Sequence, residues 1–165
     1  MLRSAFVLFS LAGACHEPAS TVDTALATQR LCNHIAGSRK RMIVNPIGSE
    51  TVWSDGALME RATDFPAPLR ALIDKPTETR DMLALLQSID SRNSEWHAAD
   101  LRRTGEGDFA CEVTDGTIKA PVHCVYTSYL QARYPTGKVR LLAAVEPILF
   151  VVDGRLKAVL MPVKP

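Results

Sequence analysis

The sequence predicts an α+β fold, with N-terminal helices packed on one face of an antiparallel sheet of about four to six strands. Three observations predict it. The first half carries apolar residues at helical spacing. The second half changes to short runs rich in β-branched and aromatic residues. Asp153-Gly154 divides two such runs and is a strong tight-hairpin signal. The 165 residues suit one domain. A content of 47% hydrophobic and 22% charged residues is that of a globular chain and excludes disorder. Nineteen Lys and Arg against eighteen Asp and Glu leave no basic excess, which excludes a dedicated nucleic-acid binder.

The elements follow in order. Ser20 to Ala36 reads as a helix, with Ser20 as N-cap, Asp23 three places on, and Val22, Ala25, Leu26, Cys32 and Ile35 toward one face. Gly37 suits its end, and Arg39-Lys40-Arg41 lies where a helix C-terminus favours positive charge. Asn45-Pro46, Gly48 and Asp55-Gly56 punctuate the next stretch, leaving room for short strands at 42–44 and 50–53. Leu58 to Asp64 reads as a helical turn stopped by Pro66 and Pro68, and Leu69, Leu72 and Ile73 as another short helical piece. Lys75 to Asp90 is the clearest helix, with Pro76 in its first turn and a stripe of Met82, Leu85, Leu86 and Ile89. From Glu95 onward, strands are expected around Trp96–Leu101, Phe109–Cys111, Val122–Tyr129 and Lys138–Val145. The last element is a C-terminal β-hairpin at 148–160. A two-residue turn sets Val151 opposite Leu156 and Leu149 opposite Ala158 on an apolar face, with Phe150, Lys157, Val152 and Arg155 on a wetter one.

The N-terminus reads as an address. Arg3 precedes the apolar stretch AFVLFSLAGA, too short to cross a hydrocarbon core of about 30 Å, and the polar HEPAST follows. Residues 1–14 are therefore expected to be a secretory signal peptide and 15–19 a tether, with the α+β domain spanning 20–165. Ala12-Gly13-Ala14-Cys15 resembles the lipobox of bacterial lipoproteins, although Ala12 stands where a larger aliphatic residue is usual. The resemblance implies lipidation of Cys15 and membrane contact through that lipid. His16, rather than an inner-membrane-retaining Asp, makes a periplasmic, outer-membrane-anchored protein the expectation; Ala12-Gly13-Ala14 as an ordinary cleavage site makes a secreted form the alternative. Loss of residues 1–14 removes Arg3 and leaves the charges balanced.

Outside the cytosol, Cys111 and Cys124 are the expected disulfide, on two strand-like runs joined through Asp115-Gly116. Cys32 reads as a buried thiol on a helix face, poorly placed to pair with His34. There is no C-x-x-C, P-loop, nucleophile elbow or H-E-x-x-H, so no catalytic residue, metal site or cofactor is assigned. Glu95 and His97 share a strand face, with Asp100 on the other, and are the nearest approach to an acid/base pair. Arg102, Arg103, Tyr126, Tyr129, Arg133 and Tyr134 are residue types enriched at protein interfaces and form the candidate partner-binding face.

The expected function is therefore that of a non-catalytic cell-envelope lipoprotein acting through a protein partner. Its sharpest form is an immunity protein, an inhibitor of a toxin delivered by a rival cell. The alternatives are an accessory lipoprotein of envelope assembly or secretion, a small-ligand binder, and a hydrolase using Glu95 and His97. Oligomeric state is not legible.

Overall fold

Alternating burial along the strands builds a sheet with apolar side chains on both faces. The computed structural model describes residues 21–39, 41–73 and 82–164; the expected signal peptide and tether, Cys15, and the first half of the helix expected from Lys75 lie outside them. The helix α1 (Thr21–Gly37) comes first, followed by β1 (Ile43–Ile47), β2 (Glu50–Ser54) and β3 (Leu58–Ala62). Two helices, α2 (Ala67–Arg70) and α3 (Met82–Ser91), and a 3₁₀ turn at Asn93–Glu95 lead to β4 (His97–Arg103), β5 (Cys111–Thr114) and β6 (Lys119–Val122). Helix α4 (Cys124–Arg133) precedes β7 (Lys138–Leu141), β8 (Ile148–Val152) and β9 (Arg155–Leu160). The fold is α+β, with one antiparallel sheet of nine strands in the order β1-β2-β3-β9-β8-β7-β4-β5-β6.

Four expectations need correction. The strand count exceeds the expected range, in part because Leu58–Ala62 pairs with both β2 and β9 instead of forming a helical turn. Its Leu58, Glu60 and Ala62 alternate inward, and a charged residue in the middle masks that period. The segment 124–129 is helix, not strand, because Tyr126, Tyr129 and Leu130 recur at helical spacing and are all buried. The helices are not all on one face. Ile148 and Phe150 join the cluster built with Leu31 and Ile35 of α1 and Leu130 of α4, whereas Leu149 and Val151 join Met82 and Leu86 of α3. A central strand buried on both sides reads as a continuous apolar run, which Ile148–Val152 is.

The C-terminal hairpin stands where expected. Asp153 and Gly154 adopt φ of 49° and 74°, the left-handed geometry that a type I′ turn requires. Its register holds only for the two pairs nearest the turn, Val152–Arg155 and Val151–Leu156. A bulge then shifts the pairing, so Phe150 faces Ala158 and Leu149 faces Val159. Phe150 is consequently buried under the helices, not on a wet face.

Beyond β9 the chain crosses the helix-covered end of the sheet. The Met161 amide donates to the Ala57 carbonyl and the Val163 amide to the Pro121 carbonyl, each at 2.8 Å. This tail joins the β2–β3 turn to the edge strand β6. Cys111 on β5 and Cys124 at the start of α4 are disulfide-bonded with Cα atoms 5.3 Å apart, and the Cys124 amide donates to the Asp108 carbonyl at 2.7 Å. The β4–β5 loop is thus fastened to the N-terminal end of α4 twice.

Candidate binding site

Two buried acids on neighbouring parts of one hairpin organise α4. Glu60 on β3 lies opposite Trp53 on β2 in the register and has no solvent exposure. A carboxylate taken from water is costly unless its oxygens are satisfied. Here all are. Oε2 accepts from Trp53 Nε1 and the Tyr129 hydroxyl, each at 2.7 Å. Oε1 accepts from Arg133 Nε and the Tyr134 hydroxyl, each at 2.6 Å. Arg133 continues outward, donating through Nη2 to the backbone oxygen and Oδ1 of Asp64 at 2.7 and 2.8 Å. Burial works against the Arg133 charge, but Glu60 together with Tyr129 and Tyr134 outweighs it, so the guanidinium holds its proton above its ordinary range. Burial, reinforced by Glu60, raises the Tyr129 and Tyr134 phenols.

Asp55 sits in the β2–β3 turn. Its Oδ1 accepts from the Ala57 and Leu58 amides at 2.9 Å, an Asx turn, and its Oδ2 accepts from the Tyr126 hydroxyl at 2.5 Å. Burial first, and this bond second, raise the Tyr126 phenol above its ordinary range.

These contacts break up the candidate partner-binding face. Tyr126 and Tyr129 are buried, and Arg133 and Tyr134 are engaged with Glu60. Arg102 lies on the opposite face of β4 from Arg103 and pairs with Asp100 at 3.4 Å. The reason is the helix: residues 126, 129 and 133 fall on one inward stripe at a period of 3.6. Glu95 and His97 are both exposed, and Glu95 pairs with Arg92 at 2.9 Å. Among the described residues no group of three potential ligands could hold a metal ion. Cys32 is buried, and burial raises its thiol above the ordinary value, which favours the unreactive protonated form.

The other end of α4 is open. His123 is its N-cap, with Nδ1 accepting from the Val125 amide at 3.3 Å. The ring of His34, in the last turn of α1, lies 4.3 Å from that of His123, centroid to centroid. Phe109 of the β4–β5 loop meets the other side of His123 at 4.8 Å, and Tyr126 lies 5.4 Å from His34. This aromatic knot separates two kinds of cleft. One is an apolar pair. A space of about 340 Å³ is lined by Phe109, Tyr126, Met161 and Val163. It shares Gly56, Ala57 and Met161 with a space of about 380 Å³ between α3 and the sheet, lined by Ile43, Met59, Met82, Leu85, Ile89 and Val159. The other is polar: about 470 Å³ lined by Arg30, Asn33, His34, Arg103, Asp108 and Ser128.

Among the described residues, five large apolar side chains are exposed, and three of them line the apolar pair: Phe109 at 66%, Leu85 at 50% and Met161 at 41%. The sequence places Leu85 on an apolar helix stripe and Phe109 in a strand and marks Met161 not at all, because an apolar residue carries no local mark of exposure. Only Arg103 of the six expected partner residues lines any of these clefts apart from Tyr126, whose ring forms a wall. No protein-family model, curated protein or solved structure matches this chain.

Proposed function

We propose that this chain is a non-catalytic binding protein of the bacterial envelope that captures a protein partner on its apolar double cleft, in its sharpest form an inhibitor of a delivered toxin. The observation that carries the reading is the gathering of Leu85, Met161 and Phe109 on adjoining clefts at one end of the molecule. Exposed apolar side chains scattered singly are ordinary, whereas grouped ones rimmed by polar groups mark contact surfaces. The exposed Arg41 lines the α3 cleft and supplies such a polar group. Aromatic side chains are the usual anchors of binding energy at protein interfaces, and Phe109 is the exposed aromatic of this surface. The envelope location rests on the signal-like N-terminus and the lipobox resemblance at Cys15.

The test is capture on the immobilised full chain from lysates of the producing bacterium and of its competitors, followed by calorimetry with whatever is recovered. A stoichiometric partner from a competitor, its activity blocked on binding, is the expected result. Phe109→Ala or Met161→Ser should weaken that complex by about ten-fold or more, as for an anchor worth roughly 1.5–3 kcal/mol. Phe109→Ala should keep the thermal stability of the parent, because that side chain is largely exposed. Recovery of the cell's own envelope components would move the reading to an assembly accessory. Unchanged affinity in both variants would sink the assignment of this surface.

A further inference from the structure

We propose that the polar cleft between α1, the first turns of α4 and the β4–β5 loop is a binding site for a small oxyanion, a carboxylate or phosphate group. The inference is independent of the partner surface, since none of Leu85, Phe109 and Met161 lines this cleft.

The cleft brings together donors that have no strong partner. Arg30, Asn33 and His34 are three and four residues apart on α1 and so share one helix face. Arg103 ends β4 across from them, and Ser128 stands one turn into α4 from Cys124. Arg30 forms no ion pair or side-chain hydrogen bond with a described residue. Arg103 makes two contacts at the limit of hydrogen bonding, 4.0 Å to Cys111 Sγ and 3.5 Å to the Gly107 carbonyl. The Asn33 carbonyl oxygen accepts from Gln29 Nε2 at 3.0 Å, which leaves its amide nitrogen to donate elsewhere. Ser128 forms no hydrogen bond through its hydroxyl with a described residue. The one carboxylate in the lining, Asp108, pairs with neither arginine. Two guanidinium groups against one carboxylate leave a net positive cleft.

The contrast with Arg133 is direct. There a guanidinium beside the sheet is matched by Glu60 and Asp64. Here two guanidinium groups face a space of about 470 Å³ in which the single acid, Asp108, forms an ion pair with neither. A guanidinium presents its N–H groups as a planar fork that fits two oxygens of one carboxylate or phosphate, and such charge-assisted bonds are the strong ones. The rings of His34 and His123 form the wall shared with the apolar cleft and report on occupancy.

The experiment is a titration of the full chain with inorganic phosphate and, separately, with acetate, at fixed pH and at ionic strength held constant with chloride. The readout is the Cε1–H resonances of His34 and His123, assigned with His34→Asn. The expected result is a saturable shift of both resonances with at least one of the two anions. Arg30→Gln and Arg103→Gln should each weaken the midpoint by about ten-fold or more, and Arg30→Lys should recover part of that loss. Saturation by phosphate alone assigns a phosphoryl group, and by acetate alone a carboxylate; both support the site. Shifts that stay linear, that chloride reproduces, or that persist unchanged in Arg30→Gln would overturn it. Arg30 is exposed on α1 and without a partner among the described residues, so its variants test the site even where Arg103→Gln disturbs folding.

Discussion

The two ends of α4 treat polar side chains in opposite ways. At the C-terminal end, Tyr129, Arg133 and Tyr134 converge on Glu60, and each carboxylate oxygen accepts two hydrogen bonds. At the N-terminal end, the His123 ring meets His34 at a tilt and Phe109 edge to face, and polar donors nearby face open clefts. The same short helix therefore carries a lock at one end and a receptive surface at the other. A saturated buried network is rigid and specific, but it has nothing left to offer a ligand. An end with open space and unspent donors contributes less to holding the fold and is where recognition can occur. The difference also explains why the residue types that look most like an interface, tyrosine and arginine, are here mostly structural.

The largest expected effect breaks the lock. Glu60→Gln keeps the volume but removes the charge and turns an amide N–H₂ toward donors that need an acceptor. The loss should be about 3–5 kcal/mol in chemical denaturation, the range for one partner removed from a buried ion pair. A loss below about 1 kcal/mol would mean that the network does not hold α4 to the sheet.

Next comes the fastening at the open end. Replacing Cys111 and Cys124 with serine, or reducing the disulfide, releases the closure across a sequence separation of 13 residues. The chain-entropy model puts that contribution at about 3 kcal/mol. Hydrogen exchange sharpens the comparison: amides around 104–110 and 124–126 should lose protection before those near Glu60. Uniform loss along α4 would show that the two ends are one cooperative unit.

The smallest effect at neutral pH becomes visible only in alkali. Two of the three tyrosines of the chain lie on α4 and the third, Tyr134, caps its C-terminal end, and all three phenols are raised by burial. An unfolded chain ionises its tyrosines near pH 10. The native state holds those protons longer, so the stability tied to them is complete below about pH 10 and is lost as pH rises toward the raised native values. Absorbance at the tyrosinate band should stay flat past the midpoint seen in denaturant and then rise in one step with unfolding. A gradual rise in still-folded protein would remove at least one hydroxyl from the buried networks.

Much of the architecture is legible where its cause is local. Asp153-Gly154 sets the C-terminal hairpin because few residue pairs adopt two successive left-handed conformations. The helical period sets α1, with Cys32 and Ile35 of the expected face buried, whereas Ala25, Leu26 and Ala36 are exposed and Leu31 is buried in their place. The pairing of Cys111 with Cys124 is legible too, although the second cysteine opens a helix and does not sit on a strand. Composition misleads at 124–129, where valine, threonine and tyrosine favour strands by propensity; the 3.6 period of Tyr126, Tyr129 and Leu130 is the better guide.

The sequence by itself determined the α+β class, the final hairpin, the first helix and the cysteine pair, because each depends on residues close together in the chain. The tertiary structure alone decided that Glu60 and Asp55 are buried, that α3 covers the other face of the sheet, and that Phe109, Met161 and Leu85 meet at one end. Those facts join segments far apart in the chain, as when the hydroxyl of Tyr129 reaches Glu60 across 69 positions. No pattern in a window of residues encodes which distant donor will satisfy a buried carboxylate. That is settled when the sheet brings both into one desolvated place.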